Sequence, residues 1–388
     1  MDNSRRAILR GSLAALGLGA IGIPEWAIPV LAQGETVIPF TDVPQNYSST
    51  LRAGANPSRN LDIRKIDGPL TPNDQFFVTQ HLGHPAVDAA TYKLKISGLV
   101  DRPKAIALDQ LKSLGATEVV AGFECSGNSP RGIEGLVSNA KWTGVPLRKL
   151  LTEAGLKPEA AEVVFLGADH AASDVEWRTQ KFNLDQQFGR SLTREQALMP
   201  DPLVAYAMNG QPITVPNGFP VRLIVPGWYG VANVKWLSQI HVQEDRYLGN
   251  YEARWYRTVK GEPIDGETKY IETAISHMRV KSAIARVTKN GADAKVLGFA
   301  LTDGTPIKTI EVKVDDGPWQ PATLDPSNTK YSWKLFTYVW KNPPPGEHTL
   351  VSRATDAKGR VQPTAADLAE KKSFLEDNSQ FPRKLTIA

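Results

Sequence analysis

Sulfur is scarce in this sequence: one cysteine in 388 residues. That excludes an intrachain disulfide, a cysteine-rich zinc site, an iron–sulfur cluster held by this chain alone and a CxxCH haem attachment. Charge of one sign is missing too. The 45 Lys/Arg and 41 Asp/Glu are well mixed and leave a formal charge of only +4, without the basic runs or stripes of a nucleic-acid scaffold. Beyond residue 32 there is no apolar run long enough to span a bilayer, and there are no internal repeats or low-complexity segments. What remains is an ordinary globular chain, 41% hydrophobic and 22% charged, long enough for two or three domains. Its 31 glycines and 28 prolines favour loops and short strands over long helices.

The first residues read as a leader. Ser4-Arg5-Arg6 precedes a mildly apolar stretch from Gly11 to about Ile23, and Val30-Leu31-Ala32 offers a small-residue cleavage site. The paired arginines resemble the bacterial twin-arginine signal, which predicts export of the folded chain to the periplasm after removal of residues 1–32, with no membrane anchor left. Thr91–Leu99 alternates as a half-buried strand, and short helices are expected over 108–114 and 146–154, stopped by Gly115 and Gly155. Val221–Val225 reads as a strand, and Gly261–Gly266 as a loop-like boundary. Beyond it, Ile310–Val314 runs into the turn signal Asp315-Asp316-Gly317, and further strands over 331–340 and 349–354 suggest an immunoglobulin-like sandwich. The expected class is α+β, mainly β: a catalytic domain over 33–262 and a β-sandwich over 275–388.

The cysteine, Cys125, follows an apolar approach, Val119-Val120-Ala121, and opens a Ser/Gly/Asn/Pro loop, Ser126 to Pro130. A strand ending there presents the thiol to a cavity. Phe123-Glu124-Cys125-Ser126-Gly127-Asn128 resembles the cysteine loop of the sulfite oxidase family of molybdenum enzymes. Phe76-Phe77-Val78-Thr79-Gln80-His81, Ala205–Pro212, and Asn217–Gly227 continued by Val234–Leu237 resemble three further family motifs in the same order. The resemblance implies a sulfite-oxidase-type molybdopterin domain followed by an immunoglobulin-like domain that forms a homodimer.

It further implies that Cys125 is the metal ligand of a molybdenum–molybdopterin cofactor, whose dithiolene supplies the remaining sulfurs, so that one cysteine suffices. Arg222 and Lys235 match positions that hold the pterin and its phosphate, and His81 a histidine near the cofactor. Ser126 and Asn128 are expected to shape the loop and reach the pterin. Tyr256, twenty positions after Trp236, has the spacing of the active-site tyrosine, with Tyr229 as its rival; His84 has no assigned role. The activity implied is oxidation of sulfite to sulfate by oxygen-atom transfer, with electrons leaving to an external c-type cytochrome.

The sequence departs from the family at two anion-binding arginines, which are replaced by Thr79 and by Ser129-Pro130. Arg131, one place later, is the expected catalytic replacement, with Arg254 and Arg257 as further candidates. Loss of a charged donor from a buried site costs about 1.5–3 kcal/mol. An alternative substrate is therefore kept open, the carrier-bound sulfur of a sulfane dehydrogenase, and beyond it a non-enzymatic exported binding protein.

Overall fold

A computed structural model describes residues 34–44, 47–129 and 133–388. The expected leader over 1–32 lies outside the described residues. Among the described residues no helix is long and apolar enough to cross a membrane. The fold is mainly β, as expected, with two sheets in the first half and two facing sheets in the second.

The first sheet runs Arg222–Ile224, Leu203–Met208, Val137–Pro146, Thr117–Glu124, every neighbour antiparallel. Exposure falls along Thr117–Glu124, which starts in solvent and ends in four buried residues. The strand thereby dives into the interior just before Cys125. The second sheet runs Lys104–Ala107, Lys93–Gly98, Leu237–Gln243, Glu162–Trp177, Gln180–Thr193. In Lys93–Gly98 the expected alternation holds, with Leu94 and Ile96 inward. The helix Leu147–Ala154 seats Leu147, Leu150, Leu151 and Ala154 on this core and stops at Gly155, whose φ of 73° an L side chain disfavours.

In the second half, Lys281–Asn290, Asp293–Leu301 and Lys334–Trp340 face a four-stranded sheet containing Ile307–Val314, Gly346–Asp356 and Arg383–Ile387. Ile284, Val296 and Phe299 from one sheet share a core with Ile310, Val312, Leu350 and Ala354 from the other, the arrangement of a β-sandwich.

Two details differ from expectation. Gly261–Gly266 is not a loop boundary. Arg257–Ile264 and Glu267–Ala274 pair through their whole length, turning at Asp265 and Gly266, both with positive φ. An Asp-Gly pair is a strong signal for that tight hairpin. Thr36–Ile38, ahead of the first two sheets, forms an edge strand of the sandwich against 287–289, because Ile38 and Phe40 bury their side chains in its core.

Candidate active site

Cys125 leaves its strand held by a hydrogen bond from its own N–H to the Leu136 carbonyl (2.9 Å), and its carbonyl accepts from the Asn128 N–H (2.9 Å). Beneath it, Phe123 stacks on Trp142 with ring centroids 5.4 Å apart, and Phe76 meets both rings edge-on. The half-buried thiol faces a cleft of about 680 Å³ that opens to solvent. Burial, reinforced by the Glu124 carboxylate, pushes the thiol pKa up to about 11. It therefore becomes a thiolate at neutral pH only when a cation or metal draws the proton off.

Asn128 is occupied within its loop. Its amide donates to Glu124 Oε1 and to the Glu134 carbonyl, and its oxygen accepts from the Leu136 N–H, each at 3.0 Å. The buried Ser126 hydroxyl has no partner among the described residues, and neither residue lines the cleft. Arg131 lies outside the described residues.

Beside the thiol, Tyr256 Oη and His81 Nε2 are hydrogen-bonded at 2.7 Å. The His81 ring stacks on Tyr251 at 5.0 Å and meets the exposed Trp255 edge-on at 5.3 Å. Burial and the nearby Lys235 ammonium lower the His81 pKa, and burial raises that of Tyr256, so both are neutral at pH 7. Tyr229 is buried but absent from the cleft lining. Arg257 pairs with Glu272 at 3.0 Å on the hairpin, and Arg254 is exposed; neither lines the cleft.

Two basic side chains, Arg222 and Lys235, also line the cleft. Arg222 donates to the Asn217 and Asn233 carbonyls (2.8 and 2.9 Å) and lies over the Trp142 ring at 5.0 Å. Among the described residues it forms no ion pair, and burial brings its pKa down to about 9. Lys235 donates to Gln80 Oε1 (2.9 Å) and the Pro216 carbonyl (3.2 Å), its pKa well lowered by burial and by Arg222. The two cationic segments close around Gly218, at φ 106°. A Cβ there would lie 3.0 Å from Lys235 Cα and 3.2 Å from Arg222 Cβ.

Asp169 is a lining residue that sequence reasoning missed. It is buried, its Oδ1 has no hydrogen-bond partner, and burial raises its pKa to about 6. Its strand shifts register between Leu166 and His170, and such an irregularity re-aims a side chain without leaving a residue-type signal. His84, given no role from sequence, hydrogen-bonds Gln80 Oε1 at 3.0 Å and packs against Trp236.

The structure thus brings His81, Cys125, Arg222, Lys235 and Tyr256 to one cleft. The oxidoreductase molybdopterin-binding domain matches residues 81–251. Human mitochondrial sulfite oxidase is 29% identical over 392 residues, covering 92% of this chain and 68% of that protein. Sulfite oxidase from Gallus gallus is 30% identical over 324 residues, covering 76% of this chain and 68% of that protein. NADH nitrate reductase from Ulva prolifera is 32% identical across 78% of this chain and 39% of that protein. Among solved structures, the sulfane dehydrogenase of Paracoccus pantotrophus shares the fold, with a TM-score of 0.73 at 24% identity, covering 89% of this chain and 90% of that one.

Proposed function

Because the chain belongs to the sulfite oxidase family and is a molybdenum–molybdopterin oxidoreductase, we propose that it oxidises sulfite to sulfate and passes the two electrons singly to a c-type cytochrome. The cleft suits the cofactor on its own chemistry. Three of its lining residues carry buried polar atoms that have no partner among the described residues: Gln80 Nε2, Asp169 Oδ1 and Arg222 Nε. Donors, an acceptor and two cations with little counter-charge fit a heterocycle that carries a phosphate. The observation that carries the reading is that one cleft is lined by the Cys125 thiol together with the Arg222 and Lys235 side chains.

On this reading Cys125 holds the metal, Arg222 and Lys235 hold the phosphate end, and Asp169 and Gln80 bond the pterin. When bound, the cofactor supplies two-electron oxygen-atom transfer. The chain's own residues do the rest. Phe76, Phe77, Phe123 and Phe188 give the cleft apolar walls that exclude water. Tyr256 presents a neutral hydroxyl that can donate to a substrate oxygen. Oxidation of sulfite with one water releases two protons, and neutral His81, bonded to that hydroxyl, can receive one of them. We assign residues 33–262 to catalysis and 275–388 to an immunoglobulin-like dimerisation domain, and place the mature protein in the periplasm.

The test is metal analysis, with assay of sulfite-dependent cytochrome c reduction, on protein matured in a host that makes molybdopterin. About one molybdenum per chain is expected, with loss of both metal and activity in Cys125→Ala. Unchanged metal and activity in that variant would overturn the assignment.

A second substrate, carrier-bound sulfane sulfur, is favoured by one observation. Thr79 lines the cleft wall where the family carries arginine. A free dianion gains least from such a wall. Steady-state comparison of sulfite with protein-bound persulfide separates the two: a higher kcat/KM for the bound form selects this second reading.

A further inference from the structure

Lys281 opens the first long strand of the sandwich, yet its ammonium lies beneath the cysteine loop of the other half. The side chain is 2% exposed and ion-paired with Glu124 at 2.7 Å and with Glu134 at 3.1 Å. Glu124 immediately precedes Cys125, and Glu134 lies where the chain returns toward Val137–Pro146. The same ammonium donates to the Asp377 carbonyl at 3.0 Å. One residue earlier, the Glu376 N–H donates to the Ser126 carbonyl at 2.7 Å. Both flanks of the loop and the C-terminal segment that covers it therefore converge on one cation.

The backbone around this point is strained. Ile133, Glu134 and Glu376 all lie in the left-handed region, at φ 52°, 57° and 57°. A β-branched residue such as Ile133 is held there only when its surroundings over-determine it. Glu134 is further tied to Arg383 (3.7 Å), and Glu376 to Arg279 (3.5 Å). Among the described residues, removal of Lys281 leaves Glu124 with one side-chain partner, the Asn128 amide.

We propose that Lys281 is a positioning residue for Cys125: the sandwich uses its ammonium to clasp both ends of the cysteine loop and so fixes where the thiol points. The placement of the thiol for molybdenum rests on the reading given above; the clasp itself does not. Because the chain has one thiol, the rate of its alkylation by iodoacetamide reports the loop directly.

Full-length protein is prepared with cofactor and, from a host lacking molybdopterin synthesis, without it. In the cofactor-free chain, Lys281→Met is expected to raise the alkylation rate roughly ten-fold or more as the loop opens locally. Since Lys281→Met strands two buried carboxylates, the triple variant Lys281→Met, Glu124→Gln, Glu134→Gln removes that imbalance and is expected to show the same increase. Val296→Ala, a core change in the same half, controls for general loosening and should leave the rate near wild type. In the cofactor-loaded protein, molybdenum content should fall in both Lys281 variants and hold in Val296→Ala. A folded triple variant that alkylates at the wild-type rate overturns the clasp, as does an equal increase in Val296→Ala. Absence of molybdenum from the wild-type chain instead defeats the cofactor reading and leaves the thiol comparison standing.

Discussion

At the scale of single residues, Gly218 shows how a side chain's absence builds the site. Its φ of 106° disfavours any L side chain, and an added Cβ would sit 3.0 Å from Lys235 Cα, closer than ordinary packing. Gly218→Ala is expected to cost about 1–3 kcal/mol in backbone strain and to separate Arg222 from Lys235. Reduced cofactor content, with an earlier urea midpoint, is the measurement; normal content would mean that the close approach is dispensable. Tyr256→Phe should behave differently, keeping its molybdenum while kcat falls roughly 10²-fold, since on the proposed reading it removes the hydroxyl that donates to a substrate oxygen. Cys125, Arg222 and Lys235 were legible because they stand in sequence motifs. Asp169 was not, because a register shift places it and no residue type announces such a shift.

At the scale of elements, short periodic segments were the readable ones. The helix Leu147–Ala154 follows from its apolar spacing and from Gly155, and Lys93–Gly98 follows from strict alternation. Leu150→Ala should therefore cost about 2–5 kcal/mol, measured by denaturant unfolding, because the side chain is fully buried in the core of the second sheet. The hairpin Arg257–Ala274 was missed because Gly and Pro in its first strand outweighed the Asp-Gly turn that defines it. Its ends, Arg257 and Ala274, face each other, so the chain leaves and returns at one place through a paired ribbon where a loop-like boundary was expected.

At the scale of the whole molecule, charge joins the two halves at Lys281 and Glu124, and within the sandwich a second pair ties neighbouring strands. The strand Gly346–Asp356 carries His348, which hydrogen-bonds Asp315 at 2.7 Å beside the turn of the neighbouring strand. Burial pulls the His348 pKa down, but its bonds to Asp315 and to the Pro344 carbonyl outweigh this and raise it. For Asp315, burial pushes up, and donation from His348 and the Thr349 N–H outweighs it, lowering the carboxyl. The histidine contribution is complete below its unfolded pKa of about 6.5 and is lost as pH rises through the higher folded value. The aspartate contribution is present above about 3.9 and is lost as pH falls through the lower folded value. Urea midpoints from pH 3 to 9 should accordingly show an alkaline decline that His348→Gln diminishes. Parallel curves for the two proteins would show that the pair adds no linkage.

The edge strand Thr36–Ile38 also sets an order of events during synthesis. Thr36 hydrogen-bonds to Lys289, 253 residues further along the chain. At roughly 5–20 residues per second, about 13–50 s separate the emergence of the two partners from the ribosome. Through that interval Ile38 and Phe40 have no sandwich core to enter. The segment is thus made well before the strand that seats it, and its docking follows the emergence of Lys281–Asn290.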